Sequence, residues 1–191
     1  MDTLYIDTHD TSVVLALYKD EILVSKKEIE NSRAHSEITI PTLVSLLEEN
    51  HITIHDISDI IVVNGPGSFT GERLGVTIAK TLAYTLNIPI RVITSLERYL
   101  NEELLKDNDY LSLKEKNGYY IAKIENEMLQ DYRYLKKSEY EEFTKQNNVI
   151  EPTKIDYEKL CAYAHQKKYL NPHEVNPFYV KKIEVENDSR D

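Results

Sequence analysis

The chain has 191 residues and only five glycines, four of which, Gly65, Gly67, Gly71 and Gly75, fall in one short stretch. They follow Asp59–Asn64 (DIIVVN), a nearly continuous apolar run of the kind found in strands buried on both faces. They open a helical pattern that runs from about Thr70 to Asn87. A buried strand, an abrupt turn and a long helix therefore lie in the first half of the chain, and anything the chain folds into must be built around that corner.

Gly65-Pro66-Gly67 ends the strand sharply, because glycine allows positive φ and close backbone approach while proline stiffens the turn. Ser68 or Thr70 can cap the helix that follows, and Gly71 continues the same segment. Free amide groups at a helix start suit an anion, so the segment reads either as a phosphate cradle or as a tight strand-to-helix corner. Two nucleotide motifs fail here. A P-loop needs Lys after its last glycine, and Gly71 is followed by Glu72-Arg73. The dinucleotide fingerprint needs its third glycine one residue earlier and an acidic residue after the next strand, where this chain has Arg91 and Thr94. Further along, Gly75, Ala79 and Ala83 form a strip without bulk, flanked by Leu74, Ile78 and Leu82. That strip fits close packing on a sheet, and it equally fits a contact with a neighbouring helix.

Around this unit, residues 3–8, 12–18 and 21–29 read as strands, the second and third joined by a hairpin-short link at Lys19-Asp20. A helix pattern covers His35–Asn50, with Ile40, Leu43, Val44 and Leu47 on one stripe, Leu46 widening it and Pro41 near its start. A strand at Ile90–Thr94 and a helix over about Ser95–Lys106 complete a βββαβαβα order. Parallel strands need helical crossovers, so this order predicts a mixed sheet with helices on its faces. In the second half, residues 111–116, 118–125 and 128–137 read as strands, and 137–146 and 157–168 as helices, a truncated echo of the first half. The end has a strand-like FYVKKIEV at Phe178–Val185 and a polar tail.

Composition narrows the function. The net charge is −10, which repels a phosphate-rich ligand on average. Since lysine and arginine supply most nucleic-acid affinity, work on RNA would need a positive surface from another subunit. No apolar run approaches the ~18 residues of a membrane span, the N-terminus has no basic region of the secretory kind, and the lone Cys161 excludes an intramolecular disulfide. These features predict a cytoplasmic protein without a membrane contact.

Five segments taken together resemble the TsaB family: IDT at 6–8, AHSEITIPTLVSLLEE at 34–49, NGPGSFTGERLGVTIAKTLAY at 64–84, ITSLE at 93–97 and NPFYVKK at 176–182. TsaB proteins are subunits of the bacterial machinery that makes N6-threonylcarbamoyladenosine at position 37 of tRNAs reading ANN codons. The resemblance covers roughly residues 1–100 and the terminal Pro-Phe-Tyr segment. Residues 105–170 depart from the family pattern and look shortened. It implies an actin-like α/β fold of two lobes, each built on βββαβα: an N-terminal lobe at 1–100 carrying GPGSFTG, and a shortened C-terminal lobe at 101–191. It implies a non-catalytic partner of the TsaD transferase, with a TsaE-like ATPase as a third member, self-association as a homodimer when alone, and contact with tRNA only through the complex. The family's association helices match 35–50 and 70–87, which marks His35, Leu43, Leu46, Leu47, Arg73, Gly75, Val76, Ala79 and Ala83 as interface residues. Gly65, Pro66, Gly67, Ser68, Thr70 and Gly71 then shape the corner near the cleft between lobes.

Asp7, Thr8 and Thr11 stand where actin-like ATPases carry their first phosphate loop. Active members place glycine there so that backbone amides reach phosphate. This chain has Thr8-His9-Asp10-Thr11-Ser12 without glycine, and Asp10 adds a negative charge, so Asp7 reads as a relic or a hydrogen-bonding anchor. No resident cofactor is expected, ADP or ATP being placed only at the joint with a partner. His51 and His55 have helical ligand spacing, but the β-branched Ile52-Thr53-Ile54 between them breaks a helix and no third ligand is near, so no metal is expected. No serine stands in a nucleophile elbow. The alternative function is a nucleotide-dependent enzyme of the actin-like superfamily, such as a small kinase, and the loop without glycine speaks against it.

Overall fold

In the computed structural model, residues 1–30, 34–100 and 105–181 are described. Strands β1 (Asp2–Asp7), β2 (Ser12–Lys19) and β3 (Ile22–Glu30) form an antiparallel meander. The turn from β2 to β3 uses positive φ at Asp20 and Glu21, which matches the twist of a two-residue hairpin loop. Helix α1 (His35–Glu49) leads to β4 (Asp59–Val63), and α2 (Phe69–Leu86) leads to β5 (Ile90–Ile93). The five strands lie in the order β3-β2-β1-β4-β5, with β1, β4 and β5 parallel. This is the mixed sheet with helical crossovers that the pattern predicts.

Every residue of β4 is buried, because helices cover both faces of the sheet. On one face α1 and α2 pack Leu43, Leu46, Leu47, Val76, Ala79 and Ala83 against Leu4, Ile6, Leu15, Leu17, Ile60 and Val62. Each large side chain sunk there contributes about 1.5–3 kcal/mol. Asn87, at φ 54, ends α2 in the left-handed conformation that asparagine tolerates.

The second sheet has the order β8-β7-β6-β9, from β6 (Tyr110–Glu115), β7 (Gly118–Glu125), β8 (Met128–Lys136) and the two-residue β9 (Val149–Ile150). Helix α3 (Lys137–Gln146) covers it through Tyr140 and Phe143. Helix α4 (Tyr157–Gln166), placed with the second lobe by a boundary at 100, returns to the first sheet. Its Leu160, Cys161 and Ala164 pack on Tyr5, Ala16, Tyr18, Ile61 and Ile93. Arg91 on β5 pairs with the fully buried Asp59, and His165 of α4 contacts the same carboxylate at 3.0 Å, which fastens the returning helix.

Two sequence expectations fail. The helix over 95–106 is only a 3-10 turn at Glu97–Tyr99; residues 105–106 are not helical, and 101–104 lie outside the described residues. Side chains take over the local hydrogen bonding there: Glu97 accepts from the Thr94 amide at 2.7 Å, and Arg98 Nε donates to the Ser95 carbonyl at 2.9 Å. The strand-like end is not a strand over 178–180, and 182–191 lie outside the described residues. Its Phe178 N–H donates to the carbonyl of Asn64, at the end of β4, at 2.8 Å, leaving no sheet ladder to join.

Candidate functional site

The Gly-rich corner and the loop after β1 occupy one another. Gly65 has φ +115°, a conformation a side chain would strain, and the Gly65-Pro66 bond is cis. The Ser68 amide donates to the His9 carbonyl at 2.6 Å, and Thr8 Oγ1 donates to the Gly71 carbonyl at 2.6 Å. A Cβ on Gly71 would collide with the Thr8 carbonyl oxygen, and one on Gly75 would lie 2.5 Å from Thr8 Oγ1. The clustered glycines thus make room for residues 8 and 9 to lie on the start of α2. Ser68 caps that helix, accepting weakly from the Gly71 amide at 3.4 Å. The segment forms a tight strand-to-helix corner with the loop after β1 lying against it.

Asp7 is 2% exposed and fully engaged. It accepts from Tyr5 Oη at 3.0 Å, from the His9 amide at 3.2 Å, from His9 Nδ1 at 2.5 Å and from Arg98 Nη1 at 2.9 Å. Arg98 Nη2 lies 3.1 Å from His9 Nε2, which accepts if Nδ1 carries the proton toward Asp7. Burial works to raise the Asp7 pKa, but His9 and the Arg98 guanidinium outweigh it and hold the carboxyl well below the usual carboxylate range. The cluster borders a cavity of about 480 Å³ beside the first sheet, also lined by Lys26, Tyr99 and Tyr157. Thr11 lines the neighbouring part of the cleft and is exposed. Chemically the arrangement is a saturated ion pair: its anion is the Asp7 carboxylate, and the Arg98 guanidinium is already committed.

Sequence reasoning offered Asp7 as a relic or a hydrogen-bonding anchor and missed Arg98 and His9 as its partners. Nothing local signals Arg98, which lies 91 positions away. It also missed Glu72. That residue is buried on the corner, where its carboxyl lies against the Gly65 Cα and one oxygen has no partner.

The interface residues expected from the resemblance require correction. Leu43, Leu46, Leu47, Val76, Ala79 and Ala83 are all buried in the first core, and Gly75 faces Thr8. The small-residue strip packs on the chain's own sheet, because the parallel strands β1, β4 and β5 beneath α2 need a close-lying helix. His35 opens α1 as expected but is also buried, with Nε2 unpartnered. Arg73 is exposed and stacks over the Phe69 ring at 4.6 Å. The outward faces of the two helices carry Ile40, Val44 and Tyr84, which are 46, 47 and 64% exposed. His51 and His55 are exposed and apart from one another's helix, and no group of three metal-ligating side chains occurs among the described residues. No described helix is long and apolar enough to cross a membrane.

Comparison with known proteins places the chain. The family model described as "TsaD: tRNA N6-adenosine threonylcarbamoyltransferase" matches residues 24–172. The tRNA threonylcarbamoyladenosine biosynthesis protein TsaB of Bacillus subtilis is 40% identical over 97 residues, 51% of this chain and 42% of that protein. The TsaB protein of Buchnera aphidicola subsp. Schizaphis graminum is 33% identical over 93 residues, 49% of this chain and 44% of that protein. The chain thus spans less than half the length of these two curated relatives. A solved structure from Pseudomonas aeruginosa, titled as an uncharacterized protein with similarity to peptidase YEAZ, superposes with a TM-score of 0.71 at 15% identity, covering 94% of this chain and 99% of that one. That likeness concerns the fold.

Proposed function

Because this chain belongs to the family described as "TsaD: tRNA N6-adenosine threonylcarbamoyltransferase" and its curated relatives include TsaB proteins, we propose that it is a non-catalytic scaffold subunit in the formation of N6-threonylcarbamoyladenosine at position 37 of tRNAs reading ANN codons. It binds and supports a TsaD-like transferase, alongside a TsaE-like ATPase, and pairs with itself when alone. It carries no nucleotide of its own, and ADP or ATP enters only at a joint with a partner.

The observation that carries this reading is the buried Asp7–Arg98 pair behind the loop after β1. An actin-like kinase or ATPase needs free donors where phosphate lies. Here the guanidinium is held by Asp7 and His9, the loop after β1 is stacked on the glycine corner, and Asp10 adds negative charge beside it. A phosphate would have to displace a buried carboxylate from its partners, at a cost of several kcal/mol. The partner surface then falls on the outward sides of α1 and α2, around Ile40, Val44 and Tyr84. The net charge of −10 fits a subunit that meets tRNA through others.

The test is capture from the native cell with the tagged chain, read by mass spectrometry, together with an ATP turnover assay of the purified chain. Enrichment of a TsaD-like transferase with no turnover supports the reading. Turnover by the chain alone, or capture without the transferase, overturns it.

A further inference from the structure

The segment Val175–Val180 is a strap between the two lobes. Val175 is 1% exposed and sits in the first core, with its carbonyl accepting from Lys80 Nζ of α2 at 2.9 Å. Asn64 holds the next part from both sides: its Nδ2 donates to the Asn176 carbonyl at 3.0 Å, and its own carbonyl accepts from the Phe178 amide at 2.8 Å. Phe178 then meets Tyr132 of β8 edge-on at 5.0 Å, and Val180 packs into the core of the second sheet. Tyr179 stacks on Phe69 at 5.3 Å.

Beneath the strap lies Glu72. A Cβ on Gly65 would be 2.6 Å from Glu72 Oε1 and 3.0 Å from the Phe178 carbonyl oxygen, so the carboxyl and the strap converge on one backbone atom of the corner. Glu72 is 1% exposed, and Oε2 has no partner; neither has the buried Oδ1 of Asn64. The groups that face the carboxyl are the Gly67 amide of the corner, which donates to it, the Phe178 carbonyl of the strap, and Tyr120 of β7, whose hydroxyl feels its charge. A buried carboxyl with one unpartnered oxygen, set beside the strap carbonyl, calls for a proton there, since an unpartnered buried charge is costly while a carboxylic acid can donate.

We propose that Glu72 is held as a neutral carboxylic acid under the strap, and that its ionisation loosens Val175–Val180 from the corner, so that the joint between the lobes responds to pH. Burial pushes the Glu72 pKa up to about 7, against a smaller lowering by the Gly67 amide. With the docked-state value raised and an ordinary value once the strap is free, docking is strongest below the ordinary value of about 4.3, weakens by at most about tenfold per pH unit above it, and levels off past the docked-state value.

The experiment is NMR on the full chain from pH 4 to 8.5. The Glu72 side-chain carboxyl is titrated directly, and hydrogen-exchange protection of the Phe178 amide is measured in wild type and in Glu72→Gln, which keeps the shape without the charge. Expected are a Glu72 midpoint near neutrality and a loss of Phe178 protection of at least about tenfold between pH 5 and 8, with little loss in Glu72→Gln. A Glu72 midpoint in the ordinary carboxylate range overturns the proposal, and so does an equal loss in both proteins. If Glu72→Gln does not fold, the wild-type data decide alone: loss of Phe178 protection must run over the pH range below the Glu72 midpoint and level off above it, and a loss that only begins above that midpoint overturns the proposal.

Discussion

Arg98 reaches back from the link after β5 to place Nη1 2.9 Å from Asp7 Oδ2, at the end of the first strand. Both side chains are buried, so each is the other's condition for staying in the core. Removing one partner leaves an unpaired buried charge. Asp7→Ala is expected to destabilise the fold by about 3–5 kcal/mol, read as a shift of the urea midpoint. Arg98→Met, which fills the volume without charge, is expected to do similar harm because the buried Asp7 carboxylate then loses its guanidinium and keeps only Tyr5 and His9. The double variant Asp7→Ala/Arg98→Met should lose less than the sum of the two.

The same pair sets an acid limit. The folded Asp7 pKa lies well below its ordinary value of about 3.9, so its contribution to stability is fully present above that value and is lost as pH falls through the range below it. Wild-type stability should therefore drop more steeply than that of Asp7→Asn between about pH 4 and 2, as followed by urea titrations at each pH. Parallel profiles would show that Asp7 is not the group responsible.

Gly71→Ala tests the docking of the loop after β1. The added methyl meets the Thr8 carbonyl, a backbone atom with no rotamer to escape into. A loss of at least about 2 kcal/mol is expected, measured by thermal or urea unfolding, whereas Thr70→Ala, exposed on the same turn, should stay within about 0.5 kcal/mol.

Ala79→Arg and Val44→Arg should behave in opposite ways. Ala79 is fully buried, so an arginine there is expected to unfold the protein, while Val44, at 47% exposed, should accept one. On the proposed function, Val44→Arg and Ile40→Arg stay folded by circular dichroism yet lose self-association in light scattering and fail to retain the transferase. Folded variants that still do both would remove α1 from the association surface.

How much of this is legible in the sequence follows from the range of each interaction. The strand–corner–helix unit at 59–87 is legible because its signals are local: an apolar run, glycines where backbone approaches closely, Ser68 at the cap. The side of a helix that faces a partner is not legible. Ile40, Val44, Leu43 and Leu47 lie on one broad stripe, and only the position of the sheet divides them into two exposed and two buried residues. The return of α4 to the first sheet, the Arg98–Asp7 pair and the seat of Glu72 under Phe178 are all long-range, and no pattern within a window of fifteen residues carries them. The helix expected over 95–106 fails for a related reason: Glu97 and Arg98 look like ordinary exposed helix formers, but tertiary partners claim them.

The most direct test of the proposed role is the t6A content of tRNA in the native cell. After depletion of this chain, mass spectrometry of tRNAs reading ANN codons is expected to show loss of threonylcarbamoyladenosine at position 37, restored by the wild-type chain and not by the folded Val44→Arg variant. Unchanged modification after depletion would contradict the scaffold role.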